Sequence, residues 1–232
     1  MKIIIVLLSL LFICFLLYSE LSYISSKGIK FLYNIFSRIY ELKWKLDKTY
    51  LNKEINNRLF IKPILDSSGQ ESTSKFIDLA CGTGRLSLLL LECTDFKGQI
   101  EAYDISSGML DIFKKHIDKL DIKEKNRIKI FQADLIKWKC SEENKNSCSA
   151  IAITEAGEFL SNFPELIEEI YKILKPNALF LLTKPVERIA WTFFGRKQSK
   201  NQIIKLLEEK GFINIQIYSW TSHYDVIHCY KK

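Results

Sequence analysis

The chain has 232 residues, 47% of them apolar and 26% charged, and its 34 lysines and arginines outweigh 27 acids for a net charge of +7. That composition suffices for one folded domain of modest size with a sizeable core, plus extra segments. The six cysteines, Cys14, Cys81, Cys93, Cys140, Cys148 and Cys229, include no C-x-x-C pair and no ligand spacing with the three histidines, so no metal site is expected.

In chain order, the first element is the apolar run Ile3 to Tyr18, broken only by Ser9. As a helix its sixteen residues reach about 24 Å against a hydrocarbon core of about 30 Å, and the flank through Leu21 extends it. The expectation is a single-pass transmembrane anchor over residues 1–21. Its rivals are a cleaved secretory signal, for which no A-x-A-like site follows, and a core helix, which would not be apolar on every face. Only Lys2 precedes the run, whereas residues 27–62 hold nine basic residues against Glu41, Asp47 and Glu54. Positive charge after the anchor places the rest of the chain on the cytoplasmic side of the membrane.

Residues 22–69 read as a basic, helical juxtamembrane segment. The stretch Phe31 to Tyr50 carries Tyr33, Tyr40, Trp44 and Tyr50. Two compatible placements stay open for it: along anionic lipid headgroups, or as a solvated helix covering the site of the domain that follows. Nucleic acid is not an expected partner, because the charge excess is confined to this segment.

From residue 70 apolar strands alternate with amphipathic helices. Strands are predicted near 75–79, 99–103, 127–132, 149–153, 179–183, 213–218 and 223–230, and helices near 84–92, 107–119, 163–174 and 199–210. The alternation predicts an α/β fold with a mostly parallel sheet. The short connection Ser219 to Ser222 predicts an antiparallel hairpin at its edge.

The chemistry-bearing stretch is Phe76-Ile-Asp78-Leu-Ala80-Cys81-Gly82-Thr83-Gly84-Arg85. An acid ends a buried strand, a tight loop of small residues follows, and a helix opens directly after it; this is the geometry of a nucleotide-cofactor site. A dinucleotide fingerprint would place a third glycine where Ser87 stands, and Asp78 is poorly placed for a pyrophosphate, so an NAD-dependent oxidoreductase is disfavoured. Asp104 lies 20 residues beyond Gly84 at a second strand end, where a carboxylate can accept from two vicinal hydroxyls. Its alternative is a helix N-cap beside Ser106 and Ser107.

The stretch Asp78 to Gly84 resembles the first motif, acid-x-[GA]-x-G-x-G, of the class I S-adenosylmethionine-dependent methyltransferases. Tyr103-Asp104-Ile105-Ser-Ser-Gly-Met109-Leu resembles their second motif, and Gln132-Ala-Asp134-Leu135 their third. Leu174-Lys-Pro176 resembles the turn before the fifth strand, with Asn177 and Ala178 in place of two glycines. The D-x-S-x-x-M-L segment at Asp104 to Leu110 is similar to the ubiquinone/menaquinone-type enzymes. The resemblance covers residues 70–232 and implies a seven-stranded Rossmann-like methyltransferase domain there, with S-adenosyl-L-methionine as cofactor.

It further implies that Asp78 orients the methionyl ammonium, Asp104 binds the ribose hydroxyls and Asp134 meets the adenine amino group. Ala80, Cys81, Gly82, Thr83, Gly84, Ile105, Met109 and Leu135 complete the implied cofactor site. The alternatives are an ion pair of Asp78 with Arg85 and a solvated turn at Asp134. For catalysis the candidates are Glu155, in Ile153-Thr-Glu155-Ala-Gly-Glu158-Phe159 after the fourth strand, and His223 at the C-terminal edge; each also fits a capping, solvated or exposed role. Trp191, Phe193, Phe194 and Tyr40 are candidate walls of an acceptor pocket, with core packing as the alternative for the first three.

The expected function is a membrane-anchored methyltransferase for a small or lipophilic acceptor. The alternatives are a protein or peptide methyltransferase and a catalytically silent S-adenosylmethionine-binding membrane protein.

Overall fold

The computed structural model describes residues 26–46, 52–68, 71–187 and 199–232. Seven strands form one sheet: β1 (Lys75–Leu79), β2 (Gln99–Asp104), β3 (Ile128–Gln132), β4 (Cys148–Ile153), β5 (Leu174–Pro185), β6 (Phe212–Ser219) and β7 (Tyr224–Lys231). Their order is β3-β2-β1-β4-β5-β7-β6. The pairs among β3, β2, β1, β4 and β5 are parallel, while β7 runs antiparallel to both β5 and β6.

Helices cover both faces: α1 (Ser26–Leu46), α2 (Lys53–Asn56), α3 (Lys62–Ser68), α4 (Arg85–Glu92), α5 (Ser107–Ile117), α6 (Ile122–Lys125), α7 (Phe163–Ile173) and α8 (Lys200–Glu209). A single π-helical turn, Asn57–Ile61, joins α2 to α3.

The strand pleat divides the core. Phe76, Ala150, Leu179, Leu181 and Val226 face one layer with Leu59, Phe60, Ile64, Leu90 and Phe113. Their neighbours Ile77, Ile151, Phe180, Leu182 and Ile227 face the other, with Leu166, Ile167, Ile170, Ile203 and Leu207. Strands buried on both faces explain the near-continuous apolar runs of β4 and β5.

The start of β5 departs from the predicted 179–183. Leu174 already pairs with Cys148, the register then shifts, and Leu179 pairs with Ala150. Asn177 takes a left-handed φ of 62° within that irregularity, a conformation asparagine tolerates where the resembled turn uses glycine.

The expectation of a transmembrane helix is corrected. Among the described residues no helix is long and apolar enough to cross a membrane. The apolar run 1–21 on which it rested lies outside the described residues. Over the described residues the fold is therefore a mixed parallel and antiparallel α/β sheet, and none of their helices crosses a membrane. The anchored activity, the membrane partner and the single-pass, cytoplasm-facing placement drop out with that helix. Within the basic segment, α1 packs on α5 at the carboxyl end of the sheet.

Candidate active site

The strand order reverses between β1 and β4, and in an open α/β sheet that switch point opens a crevice at the carboxyl ends of the strands. The crevice here is lined by Ala80, Gly82, Asp104, Ile105, Met109, Asp134, Leu135, Thr154, Glu155, Ala156, Phe159 and Leu160, and is roofed by Ile29, Tyr33 and Tyr40 of α1. A second lobe continues it along Asp78, Cys81, Thr83, Arg85 and Leu86. Every residue named above for the implied cofactor site except Gly84 lines one lobe or the other.

The loop after β1 turns through three left-handed residues, Ala80 (φ 55°), Gly82 (φ 57°) and Gly84 (φ 84°). At Gly84, which caps α4, a β-carbon would stand 2.0 Å from the Phe113 ring, so the site requires glycine for space as well as for backbone freedom. At Gly82 an added β-carbon would meet only Tyr40, at 3.9 Å, on the open side of the loop.

Asp78 is 1% exposed. Its Oδ2 accepts from the Ser87 hydroxyl at 2.7 Å, whereas its Oδ1 is buried with no hydrogen-bond partner. Burial pushes its pKa up to about 6 despite the opposing pull of Ser87 and Arg85. A buried, half-satisfied carboxylate beside a glycine loop is a place for a cation.

Asp104 braces two loops at once: Oδ2 accepts from Gly82 N at 2.9 Å and Oδ1 from Ser106 N at 2.8 Å. Burial raises its pKa, and these backbone donors oppose the rise. Each carboxylate oxygen keeps acceptor capacity for a ligand hydroxyl. Ser106, not Asp104, caps α5, accepting from Met109 N at 3.1 Å. Asp134 both faces the crevice and closes a local turn, its Oδ1 accepting from Ile136 N at 3.0 Å. Cys81 is buried, and its thiol pKa is pushed well up by burial and then by Asp104 and Asp78.

Glu155, which lines both lobes, is buried with a left-handed φ of 53°, and its N–H donates to Thr183 Oγ1 at 2.6 Å. A bulky residue held there is strained, the kind of outlier that clusters at functional positions. Close by, the Tyr224 hydroxyl donates to Glu158 Oε1 at 2.5 Å, with both residues buried. Burial, together with Glu158, Glu155 and Tyr33, drives the Tyr224 pKa well above the phenolic range. His223 is exposed in the β6–β7 turn, with Nδ1 3.0 Å from Ser222 Oγ, and does not line the crevice. Trp191, Phe193 and Phe194 lie outside the described residues.

Sequence reasoning did not give site roles to Ile29, Tyr33, Glu158 or Tyr224. A signal for the first two existed, because Ile29, Tyr33, Ser37 and Tyr40 recur at spacings of three and four on one face of α1. Glu158 and Tyr224 are 66 residues apart, and only the insertion of β7 beside β5 brings them together.

Residues 70–226 match the family described as a methyltransferase domain. The chain belongs to this family. It is 22% identical over 212 residues to a demethylmenaquinone methyltransferase of Staphylococcus aureus, covering 76% of this chain and 83% of that one. It is 28% identical over 122 residues to a demethylmenaquinone methyltransferase of Symbiobacterium thermophilum, and 32% identical over 111 residues to the biotin biosynthesis bifunctional protein BioHC of Teredinibacter turnerae. Those two matches cover 51% and 46% of this chain and only 47% and 19% of the relatives.

Among solved structures the fold is similar to a methyltransferase of Aquifex aeolicus described as SAM-dependent (TM-score 0.58, 18% identity, 78% and 95% of the two chains). It is also similar to the [4+2]-cyclase SpnF (TM-score 0.68, 14% identity, 89% and 97%). The family fold is thus a class I S-adenosylmethionine-dependent methyltransferase fold related to small-molecule enzymes, menaquinone-type ones included.

Proposed function

We propose that the protein transfers a methyl group from S-adenosyl-L-methionine to a small or lipophilic acceptor. The observation that carries this reading is the Asp78 carboxylate, buried with one unpartnered oxygen at the head of a left-handed glycine loop whose Gly82 N–H is held by Asp104. Asp78 would hold the cofactor's ammonium, Asp104 its ribose hydroxyls, and Asp134 its adenine amino group, with Ile105, Met109 and Leu135 as apolar walls.

The bound cofactor supplies a sulfonium methyl that any aligned nucleophile can take. The protein's task is then alignment and exclusion of water. Tyr33, Tyr40 and Ile29 of α1 cover the crevice, and Phe159 and Leu160 close its acceptor end. The demethylmenaquinone relatives and a structural neighbour named for methylation of geranyl diphosphate support a lipophilic acceptor. The cyclase neighbour keeps a second reading in view, since one fold hosts unlike chemistries: cofactor binding in the service of another reaction.

Calorimetry with S-adenosylhomocysteine tests the cofactor assignment. The wild type is expected to bind it, NAD to compete poorly, and Asp104→Ala to cost roughly 2 to 4 kcal/mol through lost charge-assisted hydrogen bonds. Wild-type affinity in Asp104→Ala would remove the ribose assignment. Incubation with isotopically labelled cofactor and small-molecule extracts, followed by mass spectrometry, separates methyl transfer from the second reading: labelled products support the first, and cofactor binding without them supports the second.

A further inference from the structure

Among the described residues, five line both lobes of the crevice and so mark their junction: Tyr40, Ala80, Gly82, Thr154 and Glu155. Glu155 alone of these is charged. Asp104 and Asp134, read above as holding the adenosine, line only the first lobe, and Asp78, read as holding the ammonium, lines only the second. In S-adenosyl-L-methionine the sulfur is the one atom that joins the adenosyl group to the amino-acid chain. A ligand spanning the two lobes therefore has its sulfur at their junction, with Glu155.

We propose that the Glu155 carboxylate reads the charge on that sulfur, so that the site retains the sulfonium cofactor and releases the neutral S-adenosylhomocysteine it becomes. The inference rests on the methyl-transfer reading above and deepens it. Glu155 is only 9% exposed, which leaves its attraction for a neighbouring charge weakly screened. Its backbone is held by the Thr183 hydroxyl at a left-handed φ of 53°, where glycine or asparagine would fit with less strain. What a glutamate adds at that position is its carboxylate. The charges of the second lobe also complement those of the ligand: Asp78, Arg85 and Glu155 line it, and the methionyl end carries an ammonium, a carboxylate and the sulfonium. Arg85 lines this lobe alone, its guanidinium lies over the Trp220 ring at 5.2 Å, and the ligand's carboxylate brings it a counter-ion.

In the transfer, the acceptor's lone pair forms the new bond to the methyl carbon as the C–S bond breaks and its electron pair stays on sulfur. The sulfonium thus becomes a neutral thioether, and the attraction of Glu155 for it is present before the step and gone after it. Such an attraction favours the bound reactant over the transition state, so its use lies in cofactor retention and product release and not in the chemical step.

The test is calorimetry on the full chain with S-adenosyl-L-methionine, S-adenosylhomocysteine and sinefungin, in which a protonated amine on carbon replaces the methylsulfonium group. The wild type is expected to bind the two ligands that carry the extra positive charge roughly tenfold more tightly than S-adenosylhomocysteine, and Glu155→Gln to remove most of that preference while S-adenosylhomocysteine affinity stays within about twofold. A wild type without the preference overturns the proposal, as does a folded Glu155→Gln protein that keeps the preference or loses all three ligands alike. Glu155→Asp, with its charge on a shorter arm, gives the same comparison if the glutamine variant does not fold: the preference should fall severalfold, and an unchanged one overturns the proposal. Failure of the wild type to bind any of the three removes the methyl-transfer reading along with it.

Discussion

At Asp78 burial outweighs the hydrogen bond and the charge that oppose it. Its pKa of about 6, against 3.8 for the unfolded chain, follows first from desolvation. Between these values the folded protein binds a proton that the unfolded one does not. The stability it contributes to the ligand-free protein is therefore present below 3.8 and lost as pH rises through 6. Affinity for a cationic ligand runs the other way, because only the ionised carboxylate attracts it. S-adenosylhomocysteine affinity, measured by calorimetry, should rise about tenfold from pH 5 to pH 7 and then level off. Ser87→Ala removes the hydrogen bond that pulls this pKa down, so its midpoint should shift to higher pH. A flat profile would show that Asp78 does not meet the ligand's ammonium.

Among the elements, α1 is the one whose role could not be settled from its own residues. Its basic and aromatic content left two placements open, and the choice depends on a contact 72 residues away. Asn34 Oδ1 accepts from Ser106 Oγ at 2.7 Å and from Gly108 N at 3.0 Å, pinning the helix to the start of α5. Gly108 permits this approach, since an added β-carbon would stand 2.9 Å from Ser37 Oγ and 3.2 Å from the Asn34 Cα. Asn34→Ala should loosen α1 by about 1 to 3 kcal/mol, the range for leaving buried donors unmet. Hydrogen exchange should then speed up across α1 while β1 and β4 stay protected. Gly108→Val should act more strongly through collision, and unchanged exchange in both variants would show that α1 is held by other contacts.

The elements of the sheet were far more legible. Apolar runs located β1, β2, β3, β4, β6 and β7 to within a residue or two, whether continuous as in β4 and β7 or alternating as in β2. The loop after β1 was legible because Gly82 and Gly84 are demanded by backbone conformation. The start of β5 was not, since its pairing with Cys148 skips four residues and leaves no periodic trace. The Glu158–Tyr224 contact was hidden for the same reason at longer range: it exists only once β7 is placed.

At the scale of the whole molecule, the family match begins at residue 70, yet the folded unit reaches further back. Leu59, Phe60 and Ile64 are at most 2% exposed and belong to the core layer that contains Phe76 and Val226. The same segment is stitched to the sheet by polar contacts. The His228 ring Nε2–H donates to the Leu59 carbonyl at 2.8 Å, Ser67 Oγ donates to the Ser149 carbonyl at 2.7 Å, and Leu179 N donates to Ser67 Oγ at 2.8 Å. Burial lowers the His228 pKa, so the neutral ring is the form that the fold stores. Losing the three apolar side chains alone forfeits roughly 5 to 9 kcal/mol at about 1.5 to 3 kcal/mol each, comparable to the entire 5 to 15 kcal/mol that holds a typical domain together. A chain beginning at residue 70 should therefore fail to show a cooperative thermal transition, whereas one beginning at residue 26 should melt cooperatively and bind S-adenosylhomocysteine. The cooperative unit would instead coincide with the family match if the shorter chain melted at the same temperature as the longer one. Residues 52–68 would then be a covering layer added to a domain already stable without them.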